Sequence, residues 1–404
     1  MTEDNNKQIS GEMGKGSMKS RGNIGDIVTE LRRQVDARID FTIDTNDLQL
    51  AIGDDGEPRL SPRGDSGRDF LPRAGFPMLD QAFVQVAGRA LTGGIPMKFM
   101  RRAWDDHPER TRDFINGVMA DNPKRRMVRV LDDKVRAYLG QSYRTIDNYD
   151  IAGQALKLAQ AHDAMPIEAS LTDSHLRLRF VSREVTEALQ RVRDDESKGW
   201  FAGGLGSHLS QVSAQSWGEL PGDTAHPALG FRNSETGHGG CDLDGGILLG
   251  CCFNLAWVRR MVHEVHIGEK LDVQLFSQET ARKHADLIYA KMRDASAAYF
   301  TPATFAEIIA EVEGAQQQAV APAYATEALV QASEALNDDD MNALLSYFHA
   351  QPGDATVFNL GQAVSRFAQD VEPARAESLE QLAGEICVGK HTKAVTRKLV
   401  AVEA

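Results

Sequence analysis

The residues of this chain best suited to chemistry are cations in residues 122–146, NPKRRMVRVLDDKVRAYLGQSYRTI. Seven basic side chains stand there against two aspartates, an excess of five positive charges in a chain whose net charge is −13. They are Lys124, Arg125, Arg126, Arg129, Lys134, Arg136 and Arg144. A local cationic surface gains affinity for a polyanion by releasing condensed counterions. The segment therefore predicts a surface for a phosphate backbone.

Apolar and polar residues alternate on both sides of Asp132-Asp133, which predicts a β-hairpin. A two-residue turn predicts three cross-strand pairs: Leu131 with Lys134, Arg129 with Arg136, and Met127 with Tyr138. Facing arginines repel each other unless an anion lies across them. Tyr138 or Tyr143 would offer a ring for base stacking, worth ~1–3 kcal/mol per base, which suits single strands. The alternative is a strand face whose arginines pair with acidic residues elsewhere in the chain.

Two further segments extend the predicted interface. The pattern HLRLRFVS predicts a strand that carries Arg177 and Arg179 on one face. The turn Asn233-Ser234-Glu235-Thr236-Gly237-His238 brings several hydrogen-bonding side chains together where a strand ends. Asn233 and Ser234 could cradle a phosphate or a base, with Glu235 as a base or a metal ligand. The alternative is a turn whose side chains satisfy their own backbone.

A metal site is the competing hypothesis. His263 and His266, in VHEVH, would share a helix face and could bind a metal together with Glu235, His238, Cys241 or Asp242. The spacing differs from the H-E-x-x-H pattern of zinc proteases. Histidines also favour helix C-termini for electrostatic reasons, so a structural role is the alternative. No phosphate-binding loop with Lys-Ser/Thr and no G-x-S-x-G is present, and we expect no cofactor.

Composition sets the class of protein. The 404 residues, with 42% hydrophobic and 25% charged, can bury one large core or two to three smaller ones. Four cysteines do not make a disulfide framework, and adjacent Cys251 and Cys252 fit a reducing cytoplasm. The first residues lack the apolar core of a signal peptide, and no stretch approaches ~18 apolar residues. We expect a soluble cytoplasmic protein without membrane contact.

The order of patterns predicts an α+β fold: a central antiparallel sheet with packed helices and a helical C-terminal region. We divide the chain into a disordered tail (1–22), an α+β core domain (23–275) and the C-terminal helices (276–404). Residues 53–69 predict a loop, and residues 192–227 a long polar excursion. The apolar run GILLGCCFNLAWV predicts a helix that ends at Val262.

The segment order resembles the phage/plasmid-like proteins of domain-of-unknown-function family 932 over about residues 76–385. The strongest matches are RVLDDKVRAYLGQSYRTIDN, from Arg129 to Asn148, and NSETG, from Asn233 to Gly237. Relatives usually have Cys-x-Asn-Gly after the N-S-E turn, whereas this chain has Cys252-Phe253-Asn254-Leu255. The resemblance implies a phage or plasmid origin and supplies no activity.

These observations favour a DNA-metabolism protein that binds single-stranded DNA or RNA as a homo-oligomer, in strand annealing or as a recombination accessory factor. We expect electrostatic tracking of the backbone along the hairpin, without nucleotide hydrolysis. Two alternatives stay open: a metal-dependent enzyme that acts on nucleic acid or nucleotides, and a protein that binds a host factor through its C-terminal helices.

Overall fold

The computed structural model describes residues 18–21, 24–63, 65–90, 97–141, 143, 146–182, 187–188, 224–249, 254–264, 278–320, 336, 338–350, 355–371 and 373–388. The helices in these residues are α1 (Gly25–Ala37), α2 (Asp80–Ala90), α3 (Met97–Asp106), α4 (Pro108–Asp121), α5 (Asn148–Ala161), α6 (Gln278–Tyr299), α7 (Pro302–Gln317), α8 (Asp338–Ala350), α9 (Val357–Ala368) and α10 (Pro373–Cys387). The strands are β1 (Met18–Arg21), β2 (Arg38–Asp44), β3 (Leu48–Ile52), β4 (Pro58–Pro62), β5 (Phe76–Pro77), β6 (Arg125–Leu131), β7 (Lys134–Gly140), β8 (Ala164–Leu171), β9 (Leu176–Ser182), β10 (Glu187–Ala188), β11 (Thr224–Asn233), β12 (Cys241–Leu249) and β13 (Leu255–Glu264).

The strands form three sheets. The large sheet has the order β1-β8-β9-β11-β12-β13, with β10 paired to β11, and its strand pairs are antiparallel. A second sheet, β2-β6-β7, contains the cationic hairpin, and a third has the order β3-β4-β5. The predicted α+β class, with a central antiparallel sheet and a helical C-terminal region, is confirmed.

Two main hydrophobic clusters form the interior of the described residues. The larger joins the large sheet to α1, α5 and the C-terminal helices through buried rings such as Phe180, Phe231 and Phe358. The smaller lies between α2–α4 and the two small sheets, where Phe83 meets Trp104 edge to face. The predicted domain boundaries stay predictions. Among the described helices, none combines the length and the apolar character that crossing a membrane requires.

The helix predicted to end at Val262 is wrong, because this apolar run contributes to strands β12 and β13. Long apolar runs occur in strands whose two faces are both covered, and sequence periodicity does not separate them from buried helices. Helix α6 covers one face of the sheet at this point, because a side chain at Gly245 would meet the ring of Tyr299. Gly246 shows close packing within the sheet, since a side chain there would meet Trp257 of β13.

Three predicted irregular segments contain residues of strands, and one of them is the polar excursion, whose residues 224–227 begin β11. Met18–Arg21 of the predicted tail pairs with β8, where Lys19 forms an ion pair with Glu168 at 3.2 Å. The predicted loop 53–69 contains β4, whose Leu60 is buried opposite Leu50 of β3. Proline and glycine at the edges of this short strand concealed it, because such residues normally indicate turns. Residues 1–17 and 192–223 of the predicted tail and excursion lie outside the described residues.

Gly384 sets the approach of α10 to the large sheet. A Cβ at this position would overlap the backbone of Trp257 in β13, and that backbone cannot rotate away as a side chain can. We expect Gly384→Ala to lower the free energy of unfolding by at least about 2 kcal/mol. Gly314→Ala in α7 is the matched control, because a Cβ there meets nothing within 4 Å. It should raise stability by about 0.5–1 kcal/mol. Equal urea midpoints for the two variants would contradict the close packing.

Candidate nucleic-acid interface

The cationic hairpin forms as predicted near its turn and differs beyond it. Asp132 and Asp133 both have positive φ, 49° and 58°, as a tight two-residue hairpin turn requires. The predicted pair of Leu131 with Lys134 is present. The other two predicted pairs are wrong: Arg129 lies opposite Ala137, and Met127 lies opposite Leu139. The register shifts between Arg129 and Val130, because β7 contains one extra residue there, a β-bulge.

Arg129 and Arg136 are buried in ion pairs, with exposed fractions of 1% and 5%. Arg129 donates to both carboxylate oxygens of Asp40, at 3.0 and 2.9 Å, and to Asp147 at 3.3 Å. Arg136 lies 3.3 Å from Oε2 of Glu235. Glu235 therefore takes the place of the external anion that we expected across these two arginines. We call these five residues the buried arginine centre.

This burial is incompatible with the predicted role of Arg129 and Arg136 as phosphate contacts. A polyanion would have to displace carboxylates from a desolvated site, which costs several kcal/mol per ion. Burial opposes the charge of Arg129, but Glu235 and Asp40 overcome it and raise the pKa. Burial dominates at Arg136 and lowers the pKa in spite of Glu235. For these two residues, the alternative of pairing with acidic side chains elsewhere describes the structure.

The N-S-E turn connects the large sheet to the chain that follows the hairpin. Asn233 donates from Nδ2 to the carbonyl of Ile146 and to Oδ1 of Asn148, both at 2.8 Å. Tyr143 donates to the carbonyl of Ser234 at 2.9 Å, and the backbone amide of Asn148 donates to Glu235. Asn233 and Ser234 are fully buried, which corrects their prediction as surface contacts. The turn satisfies backbone and side chains inside the protein and joins β11 to the segment that follows the hairpin.

The metal hypothesis gains no support from the described residues, which contain no group of three His, Cys, Asp or Glu side chains arranged for an ion. Asp242 instead pairs with Arg232 and with His263, which lies on strand β13 and not on a helix. Nε2 of His238 faces Gln85, 3.3 Å away. Glu235 belongs to the buried arginine centre. His266 lies outside the described residues.

Arg177 and Arg179 lie beneath α10 and not on an open strand face. Arg177 donates to Glu377 at 2.7 Å. Arg179 donates to both oxygens of Glu380, at 3.0 and 2.6 Å. Glu168 lies 3.3 Å from Arg179 on the neighbouring strand. Both arginines are buried, so their prediction as nucleic-acid contacts is corrected in the same way as for Arg129.

The protonation of the buried Glu380 carboxyl should make the stability of α10 on the large sheet depend on pH. Burial, together with Glu168 and Glu377 nearby, raises its pKa to about 7, against the lowering effects of Arg179 and Trp257. The folded protein thus holds a proton that the unfolded chain releases near its ordinary value of 4.5. Stability from this group is complete below about pH 4.5 and is lost as the pH rises to about 7.

Glutamine removes an acceptor that Arg179 and Trp257 use, which costs stability at every pH, but it has no proton to lose. We therefore expect the stability of Glu380→Gln relative to the wild type to increase between pH 5 and pH 8. The rise in pKa corresponds to about 3 kcal/mol. Urea denaturation at both values measures this difference. Burial also raises the pKa of Asp244, to about 6, and that contribution is common to both proteins. Parallel pH profiles for the two proteins would contradict the assignment.

The two predicted stacking residues are not available as surfaces. Tyr138 is 1% exposed and Tyr143 is 9% exposed. Burial raises the pKa of Tyr138 to about 12, although Arg126 and Arg89 act to lower it. Base stacking on these two rings is therefore excluded in this conformation.

The remaining cations gather at the end of the hairpin away from its turn. Lys124 and Arg125 are exposed, and Arg126 is half-buried with its guanidinium carbon 5.9 Å from the centroid of the Tyr138 ring. Arg89, at the end of α2, donates from Nε to the carbonyl of the same tyrosine at 2.9 Å. We call Arg89, Lys124, Arg125 and Arg126 the hairpin-end cluster. Lys134 is exposed at the opposite end, and Arg144 lies outside the described residues.

Arg89 was missed by the sequence analysis. Arg89 is the last of three polar residues, four positions apart on α2, that form hydrogen bonds with the backbone at the outer edge of β7. Gln81 donates to the carbonyl of Arg136 at 3.2 Å, and Gln85 accepts from the amide of Tyr138 at 2.8 Å. A covered edge is protected against pairing with other chains. The signal was available as Gln, Gln and Arg at four-residue spacing in an otherwise apolar helix.

Comparison with known proteins adds no identification: no family model, no curated protein and no solved structure matches this chain. The resemblance to domain-of-unknown-function family 932 stays a prediction.

Proposed function

We propose that this protein binds single-stranded nucleic acid through the hairpin-end cluster, in the DNA metabolism of a phage or plasmid. Strand annealing or an accessory role in recombination is the activity we assign, with several subunits along one strand. The observation that carries this proposal is a group of four cations for which the described residues form no ion pair, although Asp44 lies opposite Arg125 in the pairing of β2 with β6. The phage or plasmid origin rests on the family resemblance alone.

The contrast with the other arginines of the predicted interface supports this assignment. Arg129, Arg136, Arg177 and Arg179 each have a carboxylate partner at 3.3 Å or less. A chain with 58 acidic residues against 45 Lys and Arg has abundant carboxylates for pairing. Cations left unpaired in such a chain favour an external anion. Counterion release then supplies the affinity without base contacts.

The form of the cluster favours one phosphate backbone. Arg125 and Arg126 begin β6, where successive side chains point to opposite faces, and Lys124 directly precedes them. The three positions span only about 7 Å along the chain, a length that suits contact with a single strand better than with the two strands of a duplex. Sequence-specific readout is not expected, because phosphate contacts position a nucleic acid without reading it.

A fluorescence-anisotropy titration tests the proposal. Labelled single-stranded DNA, duplex DNA and RNA of one sequence are titrated with the protein over a series of salt concentrations. We expect single strands to bind at low salt, and their affinity to fall steeply as salt is added. Absence of binding by all three polymers at low salt would overturn the proposal.

A further inference from the structure

Arg89 and Arg126 both contact Tyr138, Arg89 at its backbone carbonyl and Arg126 at its ring. Nε of Arg89 donates a hydrogen bond to the backbone carbonyl of Tyr138. The two terminal nitrogens of Arg89 have no hydrogen bond in the described residues. Arg126 lies over the ring of the same residue. The two arginines come from different elements, α2 and β6, and meet at one residue, where the charge of Arg126 acts on Arg89. We call them the arginine pair.

The arginine pair is partly desolvated and has no internal counterion within the described residues. Both side chains are half-buried, and Nε of Arg126 is a buried donor for which those residues supply no acceptor. Burial, and then the charge of Arg126, lowers the pKa of Arg89. Holding two cations together in this way is unfavourable unless an anion neutralises them.

The charge of that anion distinguishes two kinds of phosphate. A phosphodiester within a strand carries one negative charge, whereas a phosphomonoester carries about −1.5 to −2 at pH 7. The monoester also presents three oxygens to two planar donors, which suits fork-shaped contacts. Two adjacent half-buried guanidinium groups therefore match the monoester better. Exposed Lys124 and Arg125, which are well solvated, suit the diester backbone that follows.

We propose that the arginine pair binds a terminal phosphomonoester, so that the protein recognises a phosphorylated end of a nucleic acid strand. This inference rests on the proposed function, which supplies the strand. Arginine is required in the pair, because lysine is a point charge and cannot make a two-pronged contact.

The test compares four probes of one sequence: a single strand with a 5′-phosphate, one with a 3′-phosphate, one with neither, and the free mononucleotide. We expect one phosphorylated end to bind at least 10-fold more tightly than the unphosphorylated strand. The preference should decline below about pH 6, where the monoester takes up a proton. The mononucleotide should compete only weakly, because it lacks the backbone that Lys124 and Arg125 contact.

Arg89→Lys and Arg126→Lys retain charge and should reduce the ratio of the two affinities to about one. Lys157→Arg, an exposed cation on α5, is the control and should retain the wild-type ratio. Equal affinity of the wild type for phosphorylated and unphosphorylated strands would overturn this inference while the proposed function stands. Failure of every strand to bind would overturn the proposed function itself, and this inference with it. Tight binding of the mononucleotide would identify a nucleotide site and contradict recognition of a strand end.

Discussion

Arg129→Gln is expected to lower the free energy of unfolding by about 3–5 kcal/mol. The change removes the cation that Asp40, Asp147 and Glu235 surround, and it leaves their carboxylates uncompensated in a buried site. Domains are typically stable by only about 5–15 kcal/mol, so a loss of this size removes a large part of the total. Urea denaturation followed by circular dichroism measures the effect.

Lys134→Gln is the matched control for this prediction. It also removes a cation from the hairpin, but Lys134 is exposed beside the turn and has no ion pair in the described residues. Its effect should stay within about 0.5 kcal/mol. If Arg129→Gln cost no more than Lys134→Gln, the buried arginine centre would not contribute to stability as we describe.

The combined change of Lys124, Arg125 and Arg126 to glutamine is expected to lower affinity for a single strand roughly 100-fold at moderate salt. These side chains project into solvent or lie over a tyrosine ring, and none has an ion pair within the described chain. Their removal should therefore not lower the unfolding midpoint. Anisotropy titration and urea denaturation of the same preparation separate the two effects.

A second triple variant controls for bulk charge. Lys157, Arg282 and Arg293 are exposed on α5 and α6, which pack on the large sheet, and their change to glutamine alters the net charge equally. We expect this variant to bind as the wild type does. Equal losses for the two triple variants would mean that the overall charge, and not the hairpin-end cluster, governs binding.

Local patterns were sufficient for most of the fold. The alternation around Asp132-Asp133 predicted the hairpin and its turn, and HLRLRFVS predicted β9. The bulge in β7 could not be predicted, because an alternating pattern within one strand does not show where a residue lacks a partner on the neighbouring strand. The apolar run before Val262 was assigned to a helix because burial on both faces removes the alternation that identifies a strand.

The candidate site was harder to predict, because charge in the sequence does not reveal its partners. Asp40 is 89 residues from Arg129, and Glu377 is 200 residues from Arg177. Only tertiary packing brings these carboxylates to the arginines, and it turns two predicted binding surfaces into buried ion pairs. The same packing leaves Arg125 and Arg126 without an ion pair among the described residues, in the neighbourhood of Arg89, which no local motif indicates.

The most direct test of the central claim is the dependence of single-strand affinity on salt, for the wild type and the Lys124, Arg125 and Arg126 triple variant. Each phosphate contact contributes about −0.7 to the slope of log affinity against log salt for a single strand. We predict a measurable wild-type slope that becomes shallower by about 2 in the variant. Identical slopes for the two proteins would contradict binding through the hairpin-end cluster.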